Sequence, residues 1–371
     1  MRTRDAVLDY QATQKDTATY TKDLDLTDPV SALAIEAECT NGSTSNEDNF
    51  ISDIVTKIEV VDGSDVQVSL TLTQLEALHF YKTGKNPTLF PSEWASGIQR
   101  HQALLLFGRY LWDPLYGMDF TRYKNPQLKI TFNKAAIRAA SGTGFATGDN
   151  IKLTVVAKIM EELGAKPVKF LMQKEIDSFT LGASGEKRVE LPTDYPYRLA
   201  LLRAWLQGSD IDECVSQLKL TCDTDKFIAL NRYVKQLDAE ALAQFGFVGP
   251  FKHDIYRAHG ATVRLLCNKE PAVSITEKAG VADIPCVNWE WSSQLYLSLF
   301  THAGANDSTA RQLTMKEFGH ALHATVPIIF GRMNEPDTWF NATKYKKVEA
   351  VLTQGAAGAF SLVLEQERPL P

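Results

Sequence analysis

The stretch Phe107–Phe132, FGRYLWDPLYGMDFTRYKNPQLKITF, returns in worn form at Phe330–Gln354 as FGRMNEPDTWFNATKYKKVEAVLTQ. A repeated tripeptide such as FGR is unremarkable, since a chain of this size should hold roughly ten by chance. Further matches at one offset are another matter: after a single-residue gap, Thr121, Tyr123, Lys124 and Thr131 align with Thr343, Tyr345, Lys346 and Thr353. Upstream, Val55–Val60 (VTKIEV) matches Val215–Leu220 (VSQLKL), and at the same offset Asp65 meets Asp225 and Leu70 meets Leu230. Two residues of slippage later, Gln74-Leu75-Glu76-Ala77 meets Gln236-Leu237-Asp238-Ala239. Landmarks that keep their order twice mark an internal duplication, and the repeated unit must be read before the whole.

Within the first copy, DIVTKIEVVDGSDVQVSLTL alternates at period two on both sides of Asp62-Gly63, which predicts a β-hairpin with a tight turn. Thr73-Gln74-Leu75-Glu76 has capping-box spacing and predicts a short helix over about 73–82, stopped by Gly84 and Pro87. SALAIEAEC, HQALLLFGRYLW, QLKITF and IKLTVVAKIM read as strands, as does YTKDLDL. The second copy repeats the pattern from IDSFTL at Ile176 through YRLALLRAWLQ to AFSLVLEQ, with its helix over about 235–245. Many short strands and one helix per copy predict an all-β chain of two antiparallel sandwiches. Gln74 precedes Phe107 by 33 residues and Gln236 precedes Phe330 by 94, so the second copy carries 61 extra residues. That excursion has strand-like runs of its own (ATVRLLC, CVNWEWSSQLYLSLF), predicting a folded protrusion on one end of the second sandwich.

Composition narrows the function. At 371 residues with 44% hydrophobic and 23% charged, the chain can bury two cores. A net charge of −6 opposes a main role in neutralising phosphates. Five cysteines (Cys39, Cys214, Cys222, Cys267, Cys286) without a CxxC pair suggest core thiols, neither a disulfide framework nor a zinc site. The N-terminus has no apolar segment of a secretory signal, which leaves the Asn-x-Ser/Thr matches at Asn41, Asn306 and Asn341 with little meaning.

The segments DIVTKIEVVDGSDVQVSLTLTQLEALHFY and LYGMDFTRYKNPQLKITF resemble segments of the double jelly-roll major capsid proteins of tailless icosahedral double-stranded DNA viruses, and the resemblance spans nearly the whole chain. It implies two tandem eight-stranded jelly rolls, with the short helices over about 73–82 and 235–245 placed in the joints between strands D and E and a large loop insertion in the second. The implied division is an N-terminal arm over 1–16, a first jelly roll over 17–165, and a second over 166–371 with an inserted tower at about 246–318. The implied role is structural: homotrimers, each a near-hexagonal capsomer, tile a virion shell assembled in the host cytoplasm. Partners implied are further copies of the chain, penton and minor capsid proteins, and an internal membrane at the inner face, with no sequence-specific nucleic acid. Catalytic residues, cofactors and metals are all expected to be absent. For the N-terminal segment, Arg2, Arg4 and Lys15 against Asp5, Asp9 and Asp16 favour a neighbouring protein over anionic lipid.

Rival chemistry rests on few residues. His320 and His323 would share a face as metal ligands on a helix, but in a strand an i,i+3 pair points to opposite faces. GASGEKR from Gly182 lacks the spacing of a phosphate loop and reads as a hairpin turn. Lys124 and Lys346, beside Tyr123 and Tyr345, are matched by duplication alone and suit a strand-edge surface. Asn288-Trp289-Glu290-Trp291 supports the alternative of a tandem sandwich enzyme or lectin acting on glycans, with Glu290 the carboxylate to suspect.

Overall fold

A computed structural model describes residues 1–47, 49–141, 144–277, 286–300 and 306–371. In chain order the first copy comprises β1 (Arg2–Gln14), β2 (Thr17–Asp23), β3 (Val30–Thr40), α1 (Ile51–Ile54), β4 (Val55–Asp62), β5 (Asp65–Leu70), α2 (Leu72–Thr83), β6 (Thr88–Phe90), β7 (Ile98–Leu106), β8 (Pro126–Asn133), α3 (Lys134–Ser141) and β9 (Ile151–Glu161). The second comprises β10 (Lys169–Thr180), β11 (Gly185–Leu191), β12 (Tyr197–Trp205), α4 (Ile211–Cys214), β13 (Val215–Cys222), β14 (Phe227–Tyr233) and α5 (Val234–Phe245), then the excursion, then β21 (Thr325–Ile329), β22 (Val348–Gln354) and β23 (Ala359–Pro369). The excursion is built from β15 (Val248–Arg257), β16 (Thr262–Arg264), β17 (Cys267–Glu277), β18 (Cys286–Trp291), β19 (Gln294–Leu299) and β20 (Arg311–Leu322).

The two copies have one topology. Sheet orders β1-β9-β3-β7 and β2-β8-β4-β5 in the first copy are matched by β10-β23-β12-β21 and β11-β22-β13-β14 in the second, with β6 added at an edge of the first. Lettered B to I, these are the B-I-D-G and C-H-E-F sheets of a jelly roll. Irregularities coincide too. A bulge lies between Val7 and Asp9 of β1 and between Glu175 and Asp177 of β10, and another follows the equivalent pairs Val30↔Ile159 and Tyr197↔Gln366. Bulges re-aim a strand, so their retention fixes equal curvature in both sandwiches.

The halves are fused. β5 pairs in parallel with β10 through Val68↔Gln173 and Ser69↔Lys174, making one eight-stranded sheet from the C-H-E-F sheet of the first copy and the B-I-D-G sheet of the second. The second copy's B-I-D-G sheet is therefore covered on both faces. Along β12, Leu199 and Leu201 join the first core while Ala200, Leu202 and Ala204 join the second. YRLALLRAW is apolar without a break for this reason. Its counterpart surface in the first copy is covered on one face only, and IKLTVVAKIM alternates buried and half-buried residues accordingly.

Several expectations need correction. Arg2–Gln14 is no arm: it is strand B, paired along β9 from Arg2↔Glu161 to Gln14↔Ile151. Its polar character comes from an outer face left bare, while Ala6 and Leu8 pack inward. The helices expected near 73–82 and 235–245 form as α2 and α5 but join F to G; the D–E joints hold α1 and α4. The cap of α2 is Thr71, whose Oγ1 accepts from the Gln74 amide while the Gln74 Oε1 accepts from the Thr71 amide. Thr73 is not the cap, and Glu76 is released for other work. Finally, GASGEKR links β10 to β11 across two different sheets, so it is a turn but not a hairpin.

The excursion has its own core, with Ile255, Val263, Leu265, Leu295, Leu297, Leu299, Leu313 and Met315 between the sheets β15-β20-β17 and β16-β19-β18. It stands on both sandwiches, not on the second alone. Toward the first, Arg264 grips Asp53 with two bonds of 2.7 and 3.2 Å, Arg257 reaches Glu93 at 2.8 Å, and the Trp94 Nε1 donates to the Ile255 carbonyl at 2.9 Å. Toward the second, Lys269 reaches Asp210 and Asp212, both at 2.6 Å, and Asn268 accepts from the Ile211 amide at 2.7 Å.

Candidate functional site: the junction between the halves

The duplicated phrase encodes the loop between strands G and H, and the structure shows what each repeated residue does. Asp119 and Asn341 start equivalent single turns, each side chain accepting from the amide and hydroxyl of the threonine two residues on, Thr121 or Thr343. Such Asx turns need that residue pairing. The chain then extends, and the amides of Lys124 and Lys346 bond to Asp62 and Asp223, at the end of strand E in each copy. Lys124 and Lys346 thus matter through their backbones, as part of a lock between the G–H loop and the E–F hairpin. Gly331 opens the second of these loops with φ of +78°, and a Cβ there would lie 2.2 Å from the Thr338 carbonyl oxygen. Gly331→Ala should therefore cost more than about 2 kcal/mol, seen as a lowered thermal midpoint.

The two G–H loops meet at the centre of the molecule. Arg109, paired with Asp113, donates from Nη1 to the Asn334 carbonyl at 3.0 Å. Arg198 donates from Nε to the Met333 carbonyl at 2.8 Å and from Nη2 to the Arg109 carbonyl at 3.2 Å. The rings of Tyr116 and Trp339 pack at 6.2 Å. A residue from each copy takes part in every one of these contacts but the Arg109–Asp113 pair and the Arg198–Met333 bond.

Below the loops lies a fully buried ionic group. Glu365 accepts from both Lys82 and Arg198, and Lys82 also donates to the Leu106 carbonyl at 3.0 Å. Burial pushes the Lys82 ammonium down to about 8 against the pull of Glu365. Burial raises the Glu365 carboxyl, but the two cations outweigh it and hold it below the ordinary carboxylate range. A second group sits on α2. Glu76 is shared by His101 Nδ1 at 2.9 Å and His323 Nε2 at 2.5 Å, and these imidazoles overcome the upward push of burial to hold its pKa at about 2. Gln74 completes the seam by donating to Glu175 and to Ser361 Oγ.

The two histidines considered as metal ligands therefore part company. His323 turns to Glu76, and His320 Nδ1 meets Asp238 at 3.0 Å. Among the described residues no three His, Cys, Asp or Glu side chains are arranged to hold a metal. Cys39, Cys214, Cys222 and Cys267 are free and buried, with burial pushing the Cys39 thiol up to about 12. Backbone pairing places Glu290 in β18, opposite Leu295; its side chain, with those of Trp289, Trp291 and Cys286, lies outside the described residues. A groove of about 560 Å³ runs over the seam beside Glu175 and Arg203.

Sequence reasoning missed Lys82, Arg198 and Glu365. The signal was available, because a lone charge inside a doubly buried run (YRLALL, SLVLEQ) must find a counter-ion.

No protein-family model matches the chain, and no curated protein matches it by sequence. Solved structures do match along its entire length. The major capsid protein of Sulfolobus turreted icosahedral virus superposes with a TM-score of 0.59 at 13% identity, covering 100% of this chain and 98% of that one. The chain has the double jelly-roll fold. Major capsid protein P2 of bacteriophage PM2 shares this double jelly roll at TM-score 0.54 and 10% identity, covering 100% and 98%. A chain of the PBCV-1 virus capsid does so at 0.56 and 8%, covering 99% and 93%. At such identities the double jelly roll is what is held in common, and the ionic seam described above belongs to this chain's own residues.

Proposed function

We propose that this chain is a structural capsid subunit that trimerises and tiles an icosahedral virion shell. The observation that carries the reading is the equivalence of the two lobes and their edge-to-edge fusion in one sheet: three such chains in a closed ring present six similar lobes, a nearly hexagonal brick. The full-length match to viral capsid proteins supports the same role. The excursion then forms an outward tower, and neighbouring capsomers, penton and minor capsid proteins and an internal membrane at the inner face are the partners of the remaining surfaces. Assembly takes place in the host cytoplasm.

Light scattering on chromatographed protein should give three times the 41.3 kDa chain mass, and electron micrographs should show hexagonally arrayed trimers. A monomer that persists at high concentration in virion-like salt would overturn the reading.

A further inference from the structure

The junction inside the chain has two unused ends. β5 is the edge strand F of the first copy, and it is occupied by β10; among the described residues its equivalent in the second copy, β14, has no strand on its outer edge. β10 is strand B of the second copy, and its equivalent β1 likewise has no strand on its outer edge among the described residues. The shared bulges and helix starts fix the correspondence residue by residue: Gln173 and Lys174 match Asp5 and Ala6, and Val68 and Ser69 match Leu230 and Asn231, which moves Leu230 from the Leu70 expected on sequence to Val68, because the two-residue slippage falls in the E–F turn before strand F.

Exposure follows the same logic. In α2, Gln74, Ala77, Leu78, Tyr81 and Lys82 are buried, several of them against the second copy; in α5 the equivalents Gln236, Ala239, Glu240, Ala243 and Gln244 are all exposed or half-buried. The surface on which α2 rests carries Ser361, Val363 and Glu365 of β23, and its equivalents Thr154, Val156 and Lys158 of β9 lie half-open to solvent. Apolar side chains mark both free edges: Val7 and Tyr10 of β1 are 63% and 74% exposed, and Phe227 and Tyr233 of β14 are 48% and 57% exposed. Glu240, exposed on α5 and paired with Arg232, stands where Leu78 stands in α2, and Lys158, paired with Asp5, stands where Glu365 stands in β23.

We propose that β14 and α5 of one chain dock on β1 and β9 of a second copy, repeating between chains the parallel pairing that joins β5 to β10 within one, with Leu230 opposite Asp5 and Asn231 opposite Ala6. The contact is heterologous, so it propagates from chain to chain until the ring closes. It rests on the trimeric assembly reading and gives that assembly its register. Strand addition also removes the two exposed edges, which would otherwise invite indiscriminate pairing.

Directly opposed residues of paired strands lie within disulfide reach. The full-length Ala6→Cys/Asn231→Cys protein, assembled and then mildly oxidised, should shift on a non-reducing gel from one chain mass to two and three. Neither single variant should shift, nor should Thr3→Cys/Asn231→Cys, which is out of register. Ser69→Cys/Lys174→Cys is the internal control and should close within one chain. If light scattering reports trimers and the internal control closes while Ala6→Cys/Asn231→Cys stays at one chain mass, this pairing is wrong and the assembly reading stands. If every variant and the parent are monomeric, both are overturned.

Discussion

Glu365→Gln is expected to cost about 3–5 kcal/mol of unfolding free energy, because it leaves the Lys82 ammonium and the Arg198 guanidinium buried together with no counter-charge. The buried group holds two cations to one anion, so the reverse change should be mild. Lys82→Met removes the surplus charge, keeps the Arg198–Glu365 pair and offers a similar volume, for a cost of about 1 kcal/mol. Urea denaturation reads both. Because one eight-stranded sheet ties the copies together, the loss should appear as an earlier midpoint of a shared transition. Equal losses in the two variants would mean that charge balance is not what governs this junction.

Acid is expected to undo the molecule in two stages, both on α2. The Leu104 amide donates to His79 Nδ1 at 3.1 Å, which requires an unprotonated ring, and burial pushes the His79 pKa from 6.5 down to about 4, opposed by the nearby Glu76. The unfolded chain takes up this proton near pH 6.5 and the folded chain only near pH 4. Stability is therefore lost as the pH falls through that window, by about 3 kcal/mol at about 1.4 kcal/mol for each pH unit. Glu76 acts lower. Its folded value of about 2 lies under the ordinary 4.5, so its contribution is complete above pH 4.5 and drains away as the pH falls toward 2. Thermal midpoints measured from pH 7 to pH 3 should trace both losses. His79→Gln, which keeps an acceptor for Leu104, should flatten the upper window, and Glu76→Gln should flatten the lower while reducing the midpoint at neutrality. A His79→Gln profile parallel to the parent between pH 6.5 and 4 would refute the first assignment.

Duplication was legible in the sequence because the G–H loop needs side chains at fixed positions: Asp119 or Asn341 to start its turn, Thr121 or Thr343 to bond back, and Gly331 where no Cβ fits. Strands announced themselves wherever one face was wet, as in IKLTVVAKIM. Two features were hidden by the same cause. β1 reads as a polar tail because its outer face is left exposed, and α2 reads as a short surface helix although ten of its twelve residues are buried. Period and propensity describe a segment's own conformation; what finally covers it is decided by residues 100 to 290 positions away, such as Glu175 and Ser361 against Gln74. The base of the excursion was misplaced for a like reason. Arg264 and Asp53 lie far apart in sequence, and nothing local in either says that they pair.

That footing, with Arg264 and Arg257 planted on one sandwich and Lys269 and Asn268 on the other, has a mechanical meaning. A sideways push on the summit cannot tilt one lobe by itself, because both legs of the arch must move at once and the sheet joining their feet resists being sheared. Whatever the summit touches, the force is spread over the whole polypeptide, and a weakened foot should show first as a wobbling crown above lobes that remain intact.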